Sequence, residues 1–138
     1  MTTELIYSLK PIYANLILNK QKNHEFRSVK PKNLPKRVWF YVSSPESKLK
    51  YLAEVGEIIV YPNKIHVPGE GNQEFNNSYK SLDFAYPIIH FYKIKEPITL
   101  KDLKSNFGFS APQSFAYLNK YDELKNYLLN KAILEKIY

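Results

Sequence analysis

Apolar positions along the chain repeat with two periods, and the changes between them mark the elements. Leu5-Ile6-Tyr7-Ser8-Leu9 reads as a strand that Lys10-Pro11 ends, and Pro11 can open a helix because its missing N–H would have had no partner there. Ile12, Tyr13, Leu16 and Ile17 then recur at helical spacing, which predicts one apolar stripe and a helix ending near Asn19 or Lys20. Asn23 to Arg27 follows as a strand and Ser28 to Lys36 as a loop whose two prolines resist helix and central strand. Arg37 to Val42 is a near-continuous run of aromatic and branched residues, hence a strand buried on both faces, with Trp39 in the core.

After a turn at Ser43-Ser44-Pro45-Glu46, Lys50 to Tyr61 predicts a long strand interrupted at Gly56, where a bulge or close approach is expected. Pro62 to Asn77 is a long polar loop with a short helical turn over Phe75 to Tyr79, and loops of that length are usually functional or mobile. Ala85 to Ile94 is a further strand with an edge or bulge at Pro87, and Thr99 followed by Asp102 caps a short helix. An irregular stretch leads to a short strand in Ala111 to Leu118. Helical periodicity then runs from Lys120 to Ile137, with Tyr121, Leu124, Leu128, Leu129, Ala132 and Ile133 on one face. Many short strands, few helices and turns rich in proline and glycine predict a mainly β, α+β fold: a closed or nearly closed barrel with helices at its ends.

Composition adds limits. With 138 residues, 44% of them hydrophobic, the chain is a single domain with a substantial core, divided into a barrel over 1–118 and a C-terminal helical extension over 119–138 packed on it. The absence of cysteine excludes disulfides, thiolate zinc sites and cysteine nucleophiles. His24, His66 and His90 are scattered without a ligand-like spacing, so no metal site and no cofactor are expected. No stretch is apolar enough to span a membrane and no signal-peptide pattern opens the chain, so a soluble, cytoplasmic protein is expected. A net charge of +7 suits a polyanionic partner, although lysine also serves simply to solvate a surface.

Against that background one charged set stands out. Glu25 and Arg27 alternate onto one face of the strand, His24 and Phe26 onto the other, and Lys22 sits at the preceding turn. Two cations around one carboxylate can hold a phosphate and a base or sugar edge together; a structural Glu25–Arg27 ion pair is the alternative. Lys10 and Ser8 share a face of the first strand and can reach the same place. Ser43 and Ser44 at a strand end could bond phosphate, and Gln113 could bond a base, though turn formation and loop anchoring explain them equally. Lys30, Lys32, Lys36 and Arg37 make a basic loop that either contacts backbone phosphates or is merely solvated. Tyr41 and Tyr86 could stack on a base; core packing is the expected role.

Several of these pieces occur together in a known family. Ser8-Leu9-Lys10-Pro11-Ile12-Tyr13, the Lys22-x-x-Glu25-x-Arg27 spacing, the strand end Tyr41-Val42-Ser43-Ser44-Pro45, and Glu96-Pro97-Ile98-Thr99-Leu100 leading to Ala111-Pro112-Gln113-Ser114-Phe115 resemble the ASCH family of the PUA-like superfold. The resemblance covers about Leu5 to Leu118. Lys22, Glu25 and Arg27 fill the charged places of the family signature GxKxxExR, while Lys20 stands in its glycine place. It implies a PUA-like barrel with a charged cleft beside the first helix, RNA or a modified nucleotide as ligand, and a regulatory role in transcription or translation.

Some members of the family remove the acyl group from N4-acetylcytidine through a hydroxyl nucleophile three places after the lysine. Here that place holds Glu25, and a carboxylate does not substitute for an attacking alkoxide. Others are metal-independent ribonucleases, a chemistry for which Glu25 with Lys22, Arg27 or His24 would supply base and acid. Recognition is therefore the first expectation, catalysis by Lys22, Glu25 and Arg27 the second, and a protein-interaction domain the third. A monomer is expected, with a homodimer through the C-terminal helix as the alternative.

Overall fold

The computed structural model describes residues 3–78 and 83–138. Its elements are β1 (Glu4–Leu9), α1 (Pro11–Leu18), β2 (His24–Arg27), β3 (Arg37–Val42), β4 (Lys48–Val55), β5 (Ile59–Val60), α2 (Asn72–Asn77), β6 (Phe84–Thr99), α3 (Leu100–Phe107), β7 (Phe115–Tyr117), α4 (Asp122–Asn130) and β8 (Leu134–Lys136), with a 3-10 turn at Leu118–Lys120 before α4. The strands form one sheet in the order β2-β6-β4-β3-β1-β7, and β5 and β8 add to β6. β1 and β3 are parallel; the other pairs are antiparallel.

The sheet must curl, and one contact shows it. β1 and β6 are separated by β3 and β4, a spacing of about 14 Å in a flat sheet. Yet the hydroxyls of Tyr7 on β1 and Tyr86 on β6 are 2.9 Å apart. The result is a PUA-like half-barrel. Strand alternation divides the core: Leu5, Tyr7, Leu9, Val38, Phe40 and Val42 face one side with Ala14 and Ile17 of α1. Ile6, Trp39 and Tyr41 face the other, under Leu103 of α3 and Leu124 and Leu128 of α4. Both faces are covered, which is why β3 reads as a continuous apolar run. Trp39, Tyr41 and Tyr86 all lie in the core, as the sequence led us to expect.

Several elements depart from the sequence reading. Among the described residues the terminal helix is confined to Asp122–Asn130, and β8 pairs with Tyr92 to Ile94 of β6. An open edge on β6 supplies backbone partners that helical periodicity cannot anticipate, and Leu129 and Ile133 of the expected stripe are left exposed. β6 itself runs through Pro97 to Thr99 because β4 continues beside it, with Lys48 opposite Thr99. In α1, Ala14 and Ile17 are buried while Ile12 and Tyr13 are exposed, so the eight-residue helix is rotated from its expected stripe. The short helix near Phe75 begins earlier, at Asn72; Tyr79, its expected end, lies outside the described residues. Thr99 caps α3 as expected, its Oγ1 accepting from the Asp102 amide at 3.2 Å. No helix among the described residues is long and apolar enough to cross a membrane.

Between α1 and β2 the chain turns at Lys20, whose φ is +68°. This is the place where the family signature has glycine, and the left-handed backbone explains why. Its ammonium lies 4.9 Å from the Tyr138 ring, a contact that offsets part of the strain. Lys20→Gly should therefore unfold in urea within about 1 kcal/mol of the parent, whereas Lys20→Val, β-branched in the same conformation, should lose about 1–2 kcal/mol.

Candidate functional site

The turn at Lys20 delivers Lys22 to the start of β2, and the Lys22 amide donates to Leu16 O at 2.9 Å. Alternation along β2 then places Glu25 and Arg27 together. Glu25 is held from both sides: its Oε1 is 3.2 Å from Lys22 Nζ, and its Oε2 accepts from Arg27 Nη2 at 2.6 Å and Nε at 3.2 Å. Lys22 and Glu25 are 4% and 5% exposed, so these are interior charges that touch a cleft rather than surface pairs. Arg27 Nη2 also donates to Ser8 O at 2.9 Å, and its guanidinium lies 4.3 Å from the Tyr7 ring. The Lys22 ammonium sits 4.4 Å from the Phe26 ring and 5.5 Å from that of Tyr13. Each cation thus has an aromatic face as well as a carboxylate.

Above this cluster opens a cleft of about 810 Å³. Lys10, Lys22, Glu25, Arg27 and Gln113 all line it, so three separate stretches of the chain converge on one space. Ser43 and Ser44 do not line it: β3 ends beside Leu9, the Ser43 amide donates to Leu9 O, and the chain turns away to β4. Neither do Lys30, Lys32, Lys36 or Arg37, although their loop leaves the rim at Ser28 and Val29. The three lysines are exposed. Arg37 is engaged elsewhere, 3.6 Å from Glu4 Oε2 and with its guanidinium 5.6 Å from the Trp39 ring.

Tyr13, Glu70, Gly71 and Glu74 are cleft residues that sequence reading missed. The last three come from the long loop and α2, which form the wall opposite β1. That wall is anchored by side-chain amides to Asn23, the residue just before β2. Asn23 Nδ2 donates to Pro68 O at 2.9 Å, and Asn72 Nδ2 donates to Asn23 Oδ1 at 2.9 Å. Gly71 has φ +84°, and a Cβ there would lie 2.6 Å from the Phe26 ring, so only glycine lets the wall approach so closely. Among the described residues no group of three or more histidine and acidic side chains could hold a metal ion.

His24 faces away from the cluster and is buried behind it. Because Asn23 turns its amide nitrogen to Pro68, its Oδ1 faces His24, and Nδ1 must carry the proton across 2.7 Å. Burial, reinforced by the Lys22 charge, pushes the imidazole down to about 4. Burial pushes the Tyr7 and Tyr86 phenols up from their ordinary value, leaving an uncharged pair behind Arg27. The unfolded chain takes a proton at His24 more readily than the folded one. The resulting stability is fully present above pH 6.5 and is lost as pH falls toward 4, by about 3 kcal/mol. In urea unfolding between pH 7 and pH 4.5, His24→Gln should lose less stability than the parent; parallel pH curves would contradict the assignment.

Neither a family model nor a curated protein sequence matches the chain. Solved structures do match. An ASCH protein from Zymomonas mobilis superposes with a TM-score of 0.68 at 23% identity, covering 94% of this chain and 96% of that one. A serine-to-alanine variant of that protein matches with a TM-score of 0.67 at 24% identity over the same shares. A tyrosine-to-phenylalanine variant matches with 0.66 at 23%, covering 94% and 99%. The agreement extends over nearly the whole length of both chains. The chain has an ASCH-type fold.

Proposed function

We propose that this protein is a binding module for nucleic acid, RNA foremost, or for a modified nucleotide, held in the cleft over Lys22, Glu25 and Arg27. The observation that carries this reading is a buried charge cluster at the floor of an open cleft. Burying three charges is a weak route to stability, since well-packed apolar groups of similar volume often do as well. At a ligand site, by contrast, such a cluster holds donors in a fixed geometry. Arg27 uses Nε and one terminal nitrogen on Glu25 and Ser8, and its Nη1 makes neither contact. Lys22 likewise has more N–H donors than its single carboxylate partner uses. Lys10, exposed at the rim, adds a cation that no ion pair among the described residues neutralises.

The same geometry favours recognition over cleavage. A general base must be free to take a proton, and both oxygens of Glu25 already face cations. The place where an attacking hydroxyl would stand is occupied by that engaged carboxylate.

Anisotropy of labelled single-stranded RNA tests the reading. Binding at low salt should weaken steeply as salt rises. Lys10→Ala should lower affinity several-fold and reduce the salt slope by about one. Arg27→Lys keeps the charge but loses the planar fork, and should weaken binding about tenfold or more. Absence of binding at low salt, or unchanged affinity in both variants, would contradict it.

A further inference from the structure

The charge of the cleft does not follow the charge of the molecule. The chain carries +7. Among the described residues lining the cleft, however, three cations, Lys10 and the pair that grips Glu25, stand against Glu25, Glu70 and Glu74 even before Asp83 is counted. A run of phosphates threaded through this space would meet a carboxylate for every cation and gain little from counterion release. The unmatched lysines of the basic loop are outside, on a segment that departs from the rim at Ser28 and Val29. The backbone of a nucleic acid is therefore favoured at the rim and disfavoured within.

What the interior offers instead is an aromatic surface. Tyr13 lines the cleft and is 42% exposed, because α1 turns Ala14 and Ile17 to the core and leaves Tyr13 at the mouth. Its ring serves no core, yet the Lys22 ammonium at 5.5 Å helps to fix it. Val29, 53% exposed, adds apolar surface at the same mouth. A volume of about 810 Å³ is ample for a nucleoside-sized group and lies within the usual range for small-molecule sites.

We propose, resting on the reading of the cleft as a nucleic-acid site, that it takes one unpaired base stacked on Tyr13 while the sugar–phosphate backbone stays outside, along Lys10 and the basic loop. The experiment compares labelled hexaadenylate with an abasic hexamer carrying the same phosphates, against the parent, Tyr13→Ala and Tyr13→Phe. Thermal melting confirms that each variant is folded. The parent should prefer hexaadenylate by roughly 5- to 150-fold, the range that one stacked base supplies. Tyr13→Phe should keep that preference, and Tyr13→Ala should lose it without changing affinity for the abasic hexamer. Equal binding of the two oligomers by the parent would overturn base insertion while leaving RNA binding intact. A preference that survives Tyr13→Ala would overturn the role of Tyr13. If neither oligomer binds at low salt, the reading of the cleft falls as well.

Discussion

Glu25 is a buried carboxylate held between two cations, and the site is organised around that grip. Removing three charges from water costs several kcal/mol for each ion, and mutual attraction offsets this only when every donor and acceptor is well placed. Here the placement comes from three separate parts of the fold. The turn at Lys20 and the Lys22 amide bond to Leu16 fix the lysine, alternation along β2 fixes Glu25, and Ser8 O with the Tyr7 ring fixes Arg27. β2 ends the sheet path and β1 lies four strands along it, next to the other end, so the Arg27 contact with Ser8 O also bridges the opening of the half-barrel. The Tyr7–Tyr86 hydroxyl contact makes the same bridge one layer deeper.

The charge triad was legible in the sequence for a simple reason. Period-two alternation puts Glu25 beside Arg27 wherever β2 packs, and the separation of Lys22 from Glu25 spans one turn. Lys10 and Gln113, more distant in the chain, also line the cleft, in keeping with the motif pieces that drew attention to them. Tyr13 was not legible as a cleft residue, because helical spacing assigned it to a buried stripe that α1, only eight residues long, does not present. Glu70 and Gly71 belong to a loop and Glu74 to the six-residue α2, a stretch without clear periodicity whose position depends on side-chain hydrogen bonds of Asn23 and Asn72. At the C-terminal end, helical periodicity was overridden by the open edge of β6, which β8 fills.

Together these features describe a cleft with a rigid floor and a polar, aromatic mouth. The floor is fixed by ion pairs and neutral tyrosines, whereas the far wall is attached through amides and a glycine contact with Phe26. Beyond the rim the loop after β2 carries the exposed Lys30, Lys32 and Lys36, none of which lines the cleft. Under the proposed binding role, such a division lets electrostatics set the rate of encounter and the cleft set the choice of ligand.

Titration of the isotopically labelled protein with hexaadenylate, followed by chemical shifts, reports where the ligand sits. Binding in the cleft should shift the Arg27 side-chain Nε–H, the amides of Lys22 to Ser28, and Gly71 across the cleft. Changes confined to the surface of α4 and β8, with the Arg27 signal unmoved, would contradict it.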